Sequence, residues 1–502
     1  MSSETNVRHP AEGTSSPSTA WEPVIGLEVH VELATATKLF CGCRNEFGAP
    51  PNTHVCPVCL GLPGALPVLN EKAVELALRL GTALQFTMPE QSIFHRKNYF
   101  YPDMPKNFQT SQYDEPICLQ GVIDVDGTTV RITRAHLEED TGKSLHVGGG
   151  GRIHDADHSL VDYNRAGVPL LEIVSEPDIF SAEQARAYVT ELRATLLALG
   201  VSDVKMEEGS MRVDANVSIR RTGTSELGTR TEIKNMNSIR SVQRAIEYEI
   251  TRQIEVLEDG GRVVQETRHW NEVDSRTHSM RSKEEAYDYR YFPEPDLVPV
   301  APSVELRERV RAALPELPGA ARARLVADWG ISEHDARVVL DVPGLARFVQ
   351  ATVGALKAGT PRDVVNWATG EVLAHVNEAG VAVDELTLAP DALAELVALV
   401  AGGTINRNQA KEVLAEALRA GSRPAAIVEA RGLAQESDTD ALGASIDAVL
   451  AAHPDVVADY RAGDDGVKKK KRGFLMGEMQ KALKGRANGP VLAQLLDERL
   501  NA

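Results

Sequence analysis

The sequence predicts an α+β catalytic region followed by an all-helical region and a small helical tail. Three observations predict it. Two runs alternate strictly between apolar and polar residues, two helices of amphipathic period interrupt the strand-like segments, and the composition changes near residue 300. Strands with segregated helices are the α+β pattern. Ala- and Leu-rich stretches of helical period, divided by Gly and Pro, are helical arrays.

The first alternating run is 24–33. Ile25, Leu27, Val29, Val31 and Leu33 share one side, and Gly26, Glu28, His30 and Glu32 the other. The second, 211–220, sets Met211, Val213, Ala215, Val217 and Ile219 against Arg212, Asp214, Asn216, Ser218 and Arg220. Each is a half-buried strand with a polar second face. A helix over 181–199 opens with the Ser181/Gln184 capping pattern, carries Ala185, Tyr188, Val189, Leu192 and Leu196 at helical spacing, and stops at Gly200. Another over 239–257 carries Val242, Ile246, Ile250 and Ile254 and stops before Gly260-Gly261. The Pro-rich stretch 293–303 marks a domain edge. The expected organisation is a disordered extension 1–20, a catalytic region 21–300, a helical domain 301–420 and a basic helical tail 421–502.

The 502 residues include 43% hydrophobic and 25% charged residues, which suits a globular chain with sizeable cores. The balance of 72 acidic and 54 basic residues, net −18, repels nucleic acid in bulk, so RNA contact must use local basic patches. The segment 466–502 is such a patch, with nine basic and three acidic side chains. Lys468, Lys469, Lys470, Lys471, Arg472, Lys481, Lys484 and Arg486 fit phosphate-backbone contact, and a solvated basic linker fits them too. Residues 1–20 have no apolar run of the signal-peptide kind, and no stretch reaches the ~18 apolar residues of a spanning helix. A cytoplasmic location is expected.

Four of the five cysteines form two close pairs, Cys41-x-Cys43 and Cys56-x-x-Cys59, separated by twelve residues. That spacing suits a tetrahedral four-thiolate zinc site, closed and therefore structural; four buried thiols are the alternative. Cys118 stands alone. Carboxylates recur on several strand-like segments. Glu28 and His30 share one face; HLEEDTGK (136–143) brings Glu138 and Glu139; Asp214 and Asn216 share another face; TEIKNMN (231–237) adds Glu232 and Lys234. Acids converging from separate strands repel one another without a cation, and hard oxygen ligands suit Mg²⁺. The alternative is a sheet face turned to water. Gly142-Lys143-Ser144 is not a P-loop, because Leu137 stands where its first glycine belongs. In 94–114, Arg96, Lys97 and Lys106 alternate with Tyr99, Phe100, Tyr101, Phe108 and Tyr113, suiting either nucleotide contact or a loop folded over the core.

The stretches VIGLEVHVEL, KLFCGC, CPVCLGLPGALPVLN, RKNYFYPDMPKNFQTSQYD, HLEEDTGK, DYNRAGVPLLEIVSEPD, MRVDANVSIR, TEIKNMNS and YRYFPEPDL closely resemble the B-subunit family of the bacterial aspartyl/glutamyl-tRNA(Asn/Gln) amidotransferases. The similarity runs from Val24 to Leu297 and resumes in KRGFLMGEMQKALKGRANGPVLAQLL, while the middle matches only loosely. The resemblance implies a cradle of the glutamine synthetase and guanido kinase type with a mainly antiparallel sheet, then a helical domain and a tail similar to a free-standing small helical protein. It also implies a heterotrimer with A and C subunits. There the B subunit uses Mg²⁺ and ATP to activate the side-chain carboxylate of Glu-tRNA(Gln) or Asp-tRNA(Asn), and ammonia released from glutamine by the A subunit completes the amide.

Carried over residue by residue, Glu28, His30, Glu138 and Glu139 resemble the metal and activation site. The four cysteines match the family's zinc ligands, which not every member has. On the motifs and polar faces, Arg212 and Lys234 are expected to neutralise phosphate, and Asp214, Asn216 and Glu232 to position groups. No Ser-Ser-Lys amidase signature is present, so the ammonia must come from a partner. The archaeal-type E subunit, a rival in the same chemistry, carries a large inserted domain for which 21–300 has no room. A zinc-stabilised tRNA-binding adaptor is the rival from another class.

Overall fold

The computed structural model describes residues 20–148, 156–280, 289–434, 439–483 and 489–501. Residues 1–19 of the expected extension lie outside the described residues, as do Lys484 and Arg486. The chain divides into two compact units, Met1–Gly319 and Ala320–Ala502.

Among its described residues the first unit has thirteen strands: β1 Trp21–Glu32, β2 His95–Asn98, β3 Phe108–Ser111, β4 Cys118–Val125, β5 Thr128–Glu139, β6 Lys143–Val147, β7 His158–Asp162, β8 Pro169–Ser175, β9 Met211–Arg221, β10 Thr231–Lys234, β11 Thr267–Asn271, β12 Arg276–Ser279 and β13 Phe292–Pro293. Its helices are α1 Glu71–Ala83, α2 Ala182–Ala198, α3 Ile239–Glu258 and α4 Val304–Ala312. Eight strands form one sheet in the order β12-β11-β10-β9-β1-β8-β5-β4. Within it β10 and β11 run parallel, and the other pairs are antiparallel. The two runs read from the sequence, β1 and β9, are direct neighbours, with Glu28 opposite Asp214 and His30 opposite Arg212.

One side of this sheet makes the core. Ile25, Leu27, Val29 and Val31 pack with Val213, Ala215 and Val217 of β9 and Leu171 and Ile173 of β8. Leu76 and Leu80 of α1, Tyr188, Leu192 and Leu196 of α2, and Val242 and Ile246 of α3 cover them. Fully burying one such aliphatic side chain stabilises the fold by roughly 1.5–3 kcal/mol, so the alternation itself locks the register. The cap at Ser181 holds as read, accepting from the Gln184 N–H at 3.0 Å, and the structure adds a second at Ser238, which accepts from the Ser241 N–H at 3.0 Å. With these helices on one face, the other face of the sheet is free to carry polar side chains.

The second unit is helical. Leu345, Val349, Val365, Ala368, Leu393, Leu396, Val413 and Leu414 belong to one apolar core. The last helices have a small core of their own from Leu442, Ile446, Leu475, Met479, Leu492, Leu496 and Leu500. Among the described residues no helix is long and apolar enough to cross a membrane.

Candidate functional site

The polar face of the large sheet gathers charged groups from five strands. In one row across the sheet stand His136 (β5), Glu172 (β8), His30 (β1) and Arg212 (β9), each opposite the next. His30 Nε2 lies 3.4 Å from Glu28 Oε1 and 3.4 Å from Glu172 Oε2. His136 Nε2 lies 3.5 Å from the same Glu172 oxygen and 3.6 Å from Glu138 Oε2. Glu172 therefore sits between two imidazoles, with Glu28 and Glu138 on either flank. Ligand atoms of Glu28, His30 and Asp214, and of His30, Glu138 and Glu172, each lie within 4.8 Å of one another.

The electrostatics follow from crowding acids in a half-buried place. Burial first, then the Glu172 charge, raises the Glu28 pKa. Burial also opposes the charge on Glu172, but His136 and His30 outweigh it and hold that carboxyl well below the usual carboxylate range. Burial works against protonated His30, yet the Glu172 hydrogen bond and the surrounding carboxylates outweigh it and lift the imidazole to about 9. The spot draws positive charge.

The cations stand around this floor. Lys234 Nζ reaches Asp214 Oδ2 at 2.5 Å and Glu232 Oε1 at 3.1 Å, and Glu232 also accepts from Thr267 Oγ1 at 2.7 Å. Arg212 pairs with the buried Asp140 at 2.9 Å, and Arg165 lies 3.5 Å from the same oxygen. Glu32, the next polar position on β1, is pushed up to about 8, first by burial and then by Asp140. Asn216 stands one row on, opposite Gly26 and Glu232. Lys97 is held near Glu138 and Glu172, its amine 5.0 Å from the centre of the Tyr289 ring. A hollow of about 1000 Å³ opens beside Glu32, Arg212, Asp214, Lys234 and Asn237.

Glu138 and Glu139 part company. Successive strand residues point to opposite faces, and only Glu138 joins the floor, accepting from Ser111 Oγ at 3.1 Å. Glu139 faces the other way, pairs with Lys106 and accepts the Thr110 N–H at 2.9 Å. The cations of 94–114 are likewise turned onto acids: Arg96 binds the buried Glu294 through two hydrogen bonds of 2.7 Å.

The four cysteines come together. Sulfurs of Cys41, Cys43, Cys56 and Cys59 all lie within 4.8 Å of one another, a cluster that could hold a metal ion. A bridge between Thr37 and Arg44 closes the first turn, and the Lys38 N–H donates to Cys43 O at 3.0 Å. The buried Lys38 amine donates to His54 O at 2.8 Å, just ahead of the second pair. Cys118 is fully buried beside Ala77 of α1 and takes no part. In the tail, Lys471 pairs with Asp459, Arg472 binds Asp497 at 2.6 and 2.7 Å, and Lys481 pairs with Glu478. Lys468, Lys469 and Lys470 on the same helix, Asp465–Ala482, have no acidic partner among the described residues.

Glu172 and His136 were missed by the sequence reading. Glu172 is the one charged residue in the apolar run of β8, and His136 precedes Glu138 by two positions and so shares its face; both signals were there to be read.

Residues 23–308 match the family of the GatB/GatE catalytic domain, and residues 347–500 match the family described as GatB domain. Fold and polar floor thus fall in an amidotransferase, an enzyme class that forms carbon–nitrogen bonds. The chain is 53% identical over 487 residues to the B subunit of the aspartyl/glutamyl-tRNA(Asn/Gln) amidotransferase of Nocardia farcinica, covering 95% of each chain. It is 52% identical to the protein of that name from Frankia casuarinae, covering 96% of each. With the one from Thermoanaerobacter sp. it shares 50% identity over 96% of this chain and 99% of the relative. The chain belongs to the B-subunit family of the aspartyl/glutamyl-tRNA(Asn/Gln) amidotransferases.

Proposed function

We propose that this chain is the activating subunit of a tRNA-dependent amidotransferase: it uses ATP to phosphorylate the side-chain carboxylate of Glu-tRNA(Gln), Asp-tRNA(Asn) or both. The observation that carries the reading is the convergence of Glu28, His30, Glu138, Glu172 and Asp214 on one sheet face, beside a hollow bordered by Arg212 and Lys234.

The chemistry explains why such a face is needed. Ammonia does not displace oxide from a carboxylate. When a carboxylate oxygen attacks the γ-phosphorus of ATP and the bond to ADP breaks, the acyl group gains phosphate as a leaving group. Ammonia then attacks the acyl carbon, phosphate leaves, and loss of a proton gives the amide. Phosphoryl transfer asks the protein mainly for positioning and for cations on the phosphate oxygens. Lys234 and Arg212 face the hollow as such cations; Asp214 and Glu232 hold Lys234, Asp140 holds Arg212, and Asp214, Glu232 and Asn216 position the substrate.

The donor set also suits magnesium. Four carboxylates around an imidazole offer hard oxygens in a spot that attracts positive charge. Glu28, His30, Glu138, Glu172 and Asp214 would hold the ion, whose chemistry is to neutralise phosphate oxygens. Glu139, on the opposite face, serves the site through Lys106. The cysteine cluster is a structural zinc site: four thiolates with no open position.

The chain works in the cytoplasm with an A subunit that releases ammonia from glutamine and a C subunit, and the basic tail helix grips tRNA. The test is ATP hydrolysis by the assembled complex with and without Glu-tRNA(Gln) and Asp-tRNA(Asn), with mass spectrometry of the aminoacyl group. Stimulated turnover with conversion to Gln or Asn is expected. A complex that binds tRNA without stimulated turnover would make the chain an adaptor.

A further inference from the structure

The Lys106–Glu139 pair lies on the face of β5 away from the floor, and the cysteine knuckle is its wall. Cys41, Cys59, Gly61, Lys106, Thr110 and Glu139 line one cavity of about 210 Å³. Two glycines make the contact. Gly61, two residues past Cys59, has φ +67°; a methyl group there would stand 2.5 Å from Cγ of Lys106 and 3.2 Å from its Cα. Gly167 has φ +85°, and its missing Cβ would lie 3.5 Å from Cβ of Cys59 and 3.7 Å from Oε2 of Glu139. No side chain at Gly61 or Gly167 comes between the knuckle and the ion pair. On the far side, Glu139 Oε1 takes the Thr110 N–H at 2.9 Å, and Gln109 Nε2 donates to Glu139 O at 2.8 Å.

We propose that the metal-loaded knuckle is the positioning element of the Lys106–Glu139 pair, with Gly61 as the residue through which it acts. The turn 59–61 seats the stem of Lys106, which fixes the ammonium against Glu139 and thereby the carboxylate against Thr110. Gly61 meets the Lys106 stem with no room for even a methyl group between them, so a displacement of the turn is passed directly to that stem. Loss of the metal releases the turn and with it the ion pair. The sheet floor, held by its own ladder, stays in place. This inference rests on the zinc reading above and on Glu139 serving the reaction.

The experiment uses the assembled complex. Metal analysis should find about one zinc per chain. Amide hydrogen exchange is then followed by mass spectrometry with the zinc in place and after its removal by a chelator. Exchange in the peptide carrying Thr110 should rise about tenfold or more on zinc removal, while peptides of β1 and β9 stay unchanged. Equal exchange at Thr110 in both states, or a rise throughout the domain, would overturn the proposal. A second arm is Gly61→Ala, which leaves all four cysteines in place. It should retain zinc and the KM for acylated tRNA while kcat for amide formation falls about tenfold or more. An unchanged kcat overturns the proposal. Absence of zinc from the purified complex would sink the metal reading, and Gly61→Ala would still decide whether the knuckle positions the pair.

Discussion

His30 and Glu172 face each other across the antiparallel pair β1–β8, Nε2 to Oε2 at 3.4 Å, both on the polar side of a sheet whose other side is the core. Glu172 is nearly buried and answers to two imidazoles at once. It is the hub of the floor.

Glu172→Gln keeps the shape of this side chain and removes its charge. Acyl-tRNA-stimulated ATP hydrolysis should fall by about 100-fold or more, the scale on which lost preorganised charge costs rate. Binding of tRNA by filter retention should be unchanged. Wild-type turnover would remove Glu172 from the reaction.

The opposed directions of Glu138 and Glu139 separate their expected effects. Glu138→Gln with Glu139→Gln should abolish amide formation while tRNA binding survives. Singly, Glu138→Gln should lower ATP turnover, since Glu138 belongs to the floor. Glu139→Gln leaves a largely buried Lys106 without its partner, a loss of about 3 kcal/mol in unfolding free energy by denaturant titration. Equal stability of the two single variants would contradict this division.

Lys234 is the cation at the mouth of the hollow, between Asp214 and Glu232. Lys234→Met should raise KM for ATP about 10- to 100-fold with little change in melting temperature, because the side chain is partly exposed. Steady-state kinetics at varied ATP decide it; an unaltered KM would place the phosphates elsewhere.

In the tail, the pairing pattern selects three lysines. Replacing Lys468, Lys469 and Lys470 by Ala should weaken tRNA binding most at low salt and reduce the slope of log Kd against log salt by about 2. Arg472→Ala, which breaks the pair with Asp497, should instead loosen the small tail core and leave the slope nearly intact. A slope unmoved by the triple change would take this run out of the RNA contact.

Much of this was legible in the residues. The polar faces of β1 and β9 follow from a period of two, and the sheet pairs those two strands with the faces aligned. The cysteine spacing foretold a single cluster, which the bridge between Thr37 and Arg44 closes. Glu172 was marked as the one charged residue in an apolar run, but without a period that run does not say which face the acid takes. Lys97 stood out among the cations of 94–114, but its approach to Glu138 and Glu172, 41 and 75 positions away, needed the folded chain.

Local period, local composition and ordered motifs were enough to establish the α+β character, the helical remainder, the amphipathic strands and the family. Strand order needed the folded chain, and with it the placement of β8 between β1 and β5 that puts Glu172 between His30 and His136. The same holds for Glu139, whose turn toward Lys106 and the cysteine knuckle has no local signature. Periodicity along one strand fixes which face a side chain takes. Its neighbours across the sheet are set by long-range pairing, where burying the whole apolar face selects one arrangement.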